Sequence, residues 1–109
     1  MGSEGCMQTF KLIEIKEVKQ RLKKGEGLLV DIRDSQTFSK DHEQGSFHLS
    51  NDSISKFMDE VQFSTPLYVI CYHGNSSKGV AQYLCAQGYV EVYSVEKGFQ
   101  DWRIDSHQG

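Results

Sequence analysis

Thr65-Pro66-Leu67-Tyr68-Val69-Ile70-Cys71-Tyr72-His73-Gly74-Asn75-Ser76-Ser77 is the stretch whose reading decides the fold. Leu67 to Ile70 is a short unbroken apolar run, as a strand covered on both faces requires. Pro66 is tolerated there because the first residue of a strand can do without its donor. Beyond Ser76 the period changes. Val80, Ala81, Leu84 and Cys85 share one face of a helical wheel, with Lys78, Gln82 and Gln87 off it. The order is therefore buried strand, cysteine, tight polar loop, helix. Cys71 stands at the carboxyl end of a strand and faces a helix N-terminus, where α/β proteins bind anions.

The chemistry of that position is specific. Only a few per cent of a free thiol is thiolate at neutral pH. A helix N-terminus offers unsatisfied N–H groups and the positive end of the helix dipole. A loop that curls back aims its amides inward as an anion nest, so the residues expected to cradle an anion are Tyr72, His73, Gly74, Asn75, Ser76 and Ser77. Gly74 supplies the positive φ such a curl needs, and Asn75 tolerates it better than most residues. Ser76 or Ser77 is suited to cap the helix. His73 either adds charge near the sulfur or supplies one more backbone N–H, and the second role is preferred. The plain alternative is an inert cysteine packed at a strand end. The polar, glycine-containing loop directly after it favours a nucleophile.

Working outward, strands and helices alternate. Phe10 to Ile13 reads as a short strand. Ile15, Val18 and Leu22 then recur at helical spacing among charged residues, up to a stop at Gly25. Leu28 to Ile32 reads as a buried strand. Asp31 and Arg33 at its end read as a structural ion pair that fixes the following loop. A short helix over Ser35 to Asp41, anchored by Phe38, leads to a turn and strand at Gly45 to Leu49. Asn51 or Asp52 is suited to cap a helix through Ile54, Phe57, Met58 and Val61. After the central helix, which ends near Gly88, Val90 to Val95 reads as a strand with Val90, Val92 and Ser94 on one side. Residues Lys97 to Trp102 read as a last short helix. Such alternation in a short chain implies a parallel sheet covered on both faces.

Composition bounds the rest. A length of 109 residues, 38% of them hydrophobic and 25% charged, reads as one soluble α/β domain, expected over residues 7–104. Residues 1–6 read as a cloning remnant or disordered leader with Met7 as natural start, and residues 105–109 as a frayed tail. The net charge of −3 gives no reason to expect nucleic acid or an anionic membrane as partner. No apolar run approaches a membrane span, and no secretory signal is visible. Cys6, Cys71 and Cys85 are an odd count at irregular spacing, so a reducing cytoplasm is the expected setting. His42, His48, His73 and His107 do not complete a metal-ligand spacing with the cysteines, and no metal is expected. Cys85 reads as a small core residue. There is no Cys-x-x-Cys, so no dithiol cycle runs within the chain. A cysteine phosphatase needs Cys-x5-Arg to fork onto phosphate, and the sixth residue after Cys71 is Ser77.

Three segments resemble the rhodanese family, across nearly everything from Phe10 to Trp102. They are Leu29-Val30-Asp31-Ile32-Arg33-Asp34 through His42 to Gly45-Ser46-Phe47-His48-Leu49; the loop Cys71 to Gly79; and Gly88-Tyr89 through Val92-Tyr93-Ser94 to Gly98-Phe99 and Trp102. The loop is the most specific, and is similar to that of single-domain bacterial thiosulfate sulfurtransferases. The resemblance implies a single rhodanese-like domain with a five-stranded, mainly parallel sheet and helices on both faces. It implies that Cys71 attacks thiosulfate, releases sulfite, and passes the persulfide sulfur to cyanide or to a thiol such as thioredoxin. A homodimer is a further expectation. No metal or organic cofactor is needed. The chain departs from the family pattern in three places. The loop has no arginine, which leaves backbone dipoles and nearby Lys78 to meet the anion. Asp41 and Lys97 stand where glycine is usual, and both read as surface changes. The bare loop keeps open a carrier module loaded by a partner protein. An inactive regulatory domain is disfavoured by the intact Cys71.

Overall fold

The computed structural model describes residues 9–102. The readings of the leader, the tail and His107 lie outside the described residues. Nine elements follow in order: β1 Lys11–Ile13, α1 Ile15–Lys23, β2 Leu28–Asp31, α2 Ser35–Lys40, β3 Phe47–His48, α3 Ile54–Glu60, β4 Leu67–Ile70, α4 Ser76–Gln87 and β5 Val92–Val95. Residues 98–102 are helical as well. The sheet has the order β1-β5-β4-β2-β3, and every neighbouring pair is parallel.

Successive side chains of a strand point to opposite faces, so β4 feeds two cores. Leu67 and Val69 pack with Phe57 of α3 and with Ala81 and Leu84 of α4. Tyr68 and Ile70 pack on the other face with Ile15 and Val18 of α1 and with Phe99 and Trp102. All four residues of β4 are fully buried. That is why this strand is an unbroken apolar run rather than an alternating one. Fully burying residues such as Val18 and Leu84 contributes about 1.5–3 kcal/mol each before entropy is counted.

Topology positions the site. From β2 the chain moves outward to β3, whereas from β4 it moves the opposite way to β5. Right-handed crossovers then send the two connections to opposite faces. A crevice opens between the carboxyl ends of β2 and β4, the usual ligand position in an open parallel sheet. Among the described residues no helix is long and apolar enough to cross a membrane.

Several local expectations need correction. Strand β5 begins at Val92, not Val90, and Phe10 lies outside β1. Neither Asn51 nor Asp52 caps α3. Its N-cap is Ser53, whose hydroxyl instead accepts from the Ser50 amide and donates to the His48 carbonyl. Helix α4 has Asn75 at its N-cap with no side-chain cap. The serines are not needed there, because the cysteine sulfur takes up the Ser77 amide.

Candidate functional site

Cys71 directly follows β4 and is buried, with 5% of its surface exposed. Its sulfur accepts hydrogen bonds from the Gly74 amide at 3.0 Å and the Ser77 amide at 3.3 Å. The Ser77 side chain and the His73 amide also favour the thiolate. Burial pushes the Cys71 thiol up, but these donors together outweigh it, and the net pKa lies below the ordinary thiol value. His73 therefore contributes through its backbone, while its exposed ring makes an edge contact with Tyr72. Of the six loop residues expected to cradle the anion, Gly74 and Ser77 make the close sulfur contacts; Tyr72, Asn75 and Ser76 make none with it.

The loop's shape comes from two glycines. Gly74 has φ +93°, and a Cβ there would meet the Lys97 nitrogen at 2.8 Å. Asn75 has φ −96°, so its tolerance of positive φ is not used. Gly98, on the facing segment, has φ +76° and lies against the carbonyls of Cys71 and Tyr72. The Phe99 amide donates to the Cys71 carbonyl at 2.7 Å, and the Gln100 amide to that of Tyr72 at 3.4 Å. The amino end of the last helical segment thus pins the floor of the loop. Lys97 takes a left-handed φ of 71° between these contacts. Its side chain is exposed, yet its backbone belongs to the loop's support, so it is more than a surface change. Asp41 is exposed.

The wall opposite Cys71 is built at the end of β2. Arg33 and Asp31 form a buried ion pair, with Arg33 Nη2 to Asp31 Oδ2 at 2.7 Å and Nε within 3.1 Å of both carboxylate oxygens. Nη2 also donates to the Asp41 carbonyl at 2.7 Å, and the guanidinium stacks over Phe99 with its carbon 3.7 Å from the ring centroid. One residue therefore ties the β2 exit, the end of α2 and the last helical segment together. Asp34 caps α2 by accepting from the Thr37 amide. The Thr37 hydroxyl and amide hold its carboxyl below the ordinary range.

Between these walls lies an open cavity of about 730 Å³. Ile32, Arg33, Asp34, Thr37, Lys40, Asp41, Cys71, Tyr72, Ser76, Phe99 and Gln100 line it. Lys78 is not among them; the basic residues lining the cavity are Arg33 and, from α2, Lys40. No local pattern singles out Lys40, which reaches this cavity from the end of α2. A second concavity of about 630 Å³ shares Ile32, Arg33 and Asp34 with the first and continues to His48, Ile54 and Tyr83.

The family model for the rhodanese-like domain matches residues 14–105. The chain belongs to the rhodanese family. Solved structures agree on the fold of this rhodanese domain. A rhodanese-related protein from Thermoplasma volcanium superposes with a TM-score of 0.74 at 21% identity, covering 88% of this chain and 93% of that one. A rhodanese-like domain protein from Staphylococcus aureus gives 0.74 at 24%, covering 85% and 91%. A Staphylococcus saprophyticus protein gives 0.71 at 26%, covering 85% and 93%. The expected five-stranded rhodanese-like architecture is the observed one, with all strands parallel rather than mainly so.

A lowered thiol pKa has a direct kinetic consequence. The thiolate is the reactive form, so Cys71 should alkylate with iodoacetamide at pH values where an ordinary thiol is almost inert. Its rate–pH curve should bend below the midpoint of about 8.5 shown by an unperturbed thiol. Peptide mapping after alkylation checks this; a midpoint at or above that of a free thiol refutes the amide cradle.

Proposed function

We propose that this rhodanese domain is a sulfurtransferase whose carrier is Cys71. In the first half-reaction the Cys71 thiolate attacks the outer sulfur of thiosulfate. A sulfur–sulfur bond to Cys71 forms, the bond to the sulfonate sulfur breaks, and its electron pair leaves with sulfite. In the second, cyanide or a thiolate takes the outer sulfur and Cys71 returns as thiolate. The redox balance closes within the two substrates, and no cofactor is consumed. The GlpE type of single-domain bacterial enzyme is the pattern that the Cys71 loop resembles.

The observation that carries the reading is the sulfur itself. It sits at the floor of an open cavity, against the α4 N-terminus, with two amides donating to it. The donors that hold the thiolate also suit the persulfide anion and the charge that develops during transfer. Thioredoxin is the proposed thiol acceptor, the cytoplasm the proposed compartment, and a homodimer the proposed assembly state.

The test is intact mass before and after thiosulfate, with peptide mapping and a cyanide chase. One added sulfur on the Cys71 peptide, removed by cyanide, supports the reading. Absence of that sulfur on reduced, alkylatable Cys71 overturns thiosulfate as donor. One feature favours the second reading, a carrier loaded by a partner protein's persulfide. Arg33, already held by Asp31, and Lys40 share the cavity lining with Asp34 and Asp41, so no strong positive field awaits a dianion.

Lys40 separates the two. If thiosulfate is the donor, Lys40→Ala should raise its KM about three- to fivefold with little change in kcat, as loss of one exposed charge contact implies. An unchanged KM would show that the donor anion does not meet Lys40.

A further inference from the structure

Strand β5 carries a hydroxyl where the fold has no structural need for one. Ser94 is fully buried, beside β4 residue Val69, on the strand face that also presents Val92 to the core. A buried hydroxyl without a partner costs about 1–3 kcal/mol. The partner here is Ser77 of α4, also fully buried, at 2.7 Å between the two Oγ atoms. The Ser77 amide in turn donates to the Cys71 sulfur at 3.3 Å. Two hydroxyls therefore run in series from the sheet interior to the residue that holds the sulfur.

We propose that Ser94 is a positioning residue for Cys71: its hydroxyl donates to Ser77 and so aims the Ser77 hydroxyl at the sulfur. The reason lies in proton bookkeeping. When the sulfur is anionic, Ser77 gives its hydrogen to sulfur, and its own oxygen then needs a donor. Ser94 is that donor. When the sulfur is a thiol, its S–H can donate to the Ser77 oxygen, and Ser77 gives its hydrogen to Ser94 instead. Removing Ser94 therefore leaves the Ser77 oxygen without a donor in the thiolate state, where the network holds a charge, and costs only a neutral hydrogen bond in the thiol state. The charged and titratable groups facing Cys71 are Arg33, held by Asp31, at the end of β2; Asp34, Lys40 and Asp41 along α2; Tyr72 and His73 in the loop; and Lys97 beside Gly74. Ser94 lines none of the cavity, so changing it leaves that set in place.

The proposal bears on sulfur transfer only through the reading of Cys71 as carrier, and its test needs no sulfur donor. The rate of iodoacetamide alkylation is followed against pH on the Cys71 peptide of the full chain. Ser94→Ala should move the midpoint up by about half a pH unit, making alkylation about threefold slower below the midpoint. Ser94→Thr keeps the hydroxyl and should restore the wild-type curve. In a Ser77→Ala background, Ser94→Ala should have no further effect. A folded Ser94→Ala protein with the wild-type midpoint overturns the proposal, because a purely structural hydroxyl moves the melting temperature alone. Should Ser94→Ala not fold, Ser77→Ala decides: a midpoint raised by about one pH unit supports the relay, and an unchanged one overturns it.

Discussion

Cys71→Ser should fold like the parent and transfer no sulfur. Oxygen in place of sulfur is a small change of volume at a site that already holds hydrogen-bond donors, so the stability change should stay within about 1 kcal/mol at neutral pH. The chemical change is total. An alcohol does not ionise near neutral pH and cannot form the sulfur–sulfur bond on which both half-reactions depend. Turnover of thiosulfate and cyanide should fall to the uncatalysed background, and no sulfur should appear on the peptide. A variant turning over at the parent rate would remove Cys71 from the mechanism. Stability carries a second signature. The folded-state pKa of Cys71 is depressed, so thiolate binding to the loop stabilises the native state. That contribution is fully present above the unfolded thiol value of about 8.5 and is lost as pH falls through the folded value. The parent should therefore gain stability over Cys71→Ser as pH rises across that window, as paired denaturant titrations would reveal.

Gly98→Ala should have the second-largest effect, although Gly98 makes no contact with the sulfur. A Cβ at this position would lie 2.5 Å from the Tyr72 carbonyl oxygen and 2.6 Å from that of Cys71. Both are backbone atoms that cannot rotate away. The φ of +76° adds about 1–2 kcal/mol for any L side chain. The total should be about 3 kcal/mol or more, lowering the melting temperature by more than about 10 °C. Relief requires the last helical segment to move off the loop, which breaks the Phe99-to-Cys71 hydrogen bond. Cys71 alkylation should therefore slow towards that of a free thiol in whatever fraction stays folded. A melting temperature within a degree or two of the parent would show that the close approach does not constrain the loop.

Much of this molecule was legible without coordinates. Leu67 to Ile70 announced a strand covered on both faces, because only a doubly buried strand has no use for alternation. The change from strand to helical period around Cys71 placed that cysteine at a strand end before a helix N-terminus, since it fixes where a strand ends and a helix begins. Asp31 and Arg33, two apart at a strand end, were read as an ion pair, and they are paired in space. These are local properties: periodicity and short-range geometry depend on residues close in the chain. What stayed illegible depends on which distant segments the topology brings together. Lys78 was expected near the loop because it is close in sequence; the cavity beside Cys71 is lined instead by Lys40, from the far end of α2. Ser76 and Ser77 looked like helix caps because capping is a local rule; the buried sulfur and Ser94 claimed Ser77 instead. Ser94 was visible as a polar residue among apolar ones on one side of β5, and its partner lies 17 residues away. Sequence alone determined the alternating α/β architecture and the cysteine at its centre. Only the tertiary structure decided which amides, hydroxyls and charges meet that cysteine, because those contacts are set by parallel strand order and helix crossing, which no local pattern encodes.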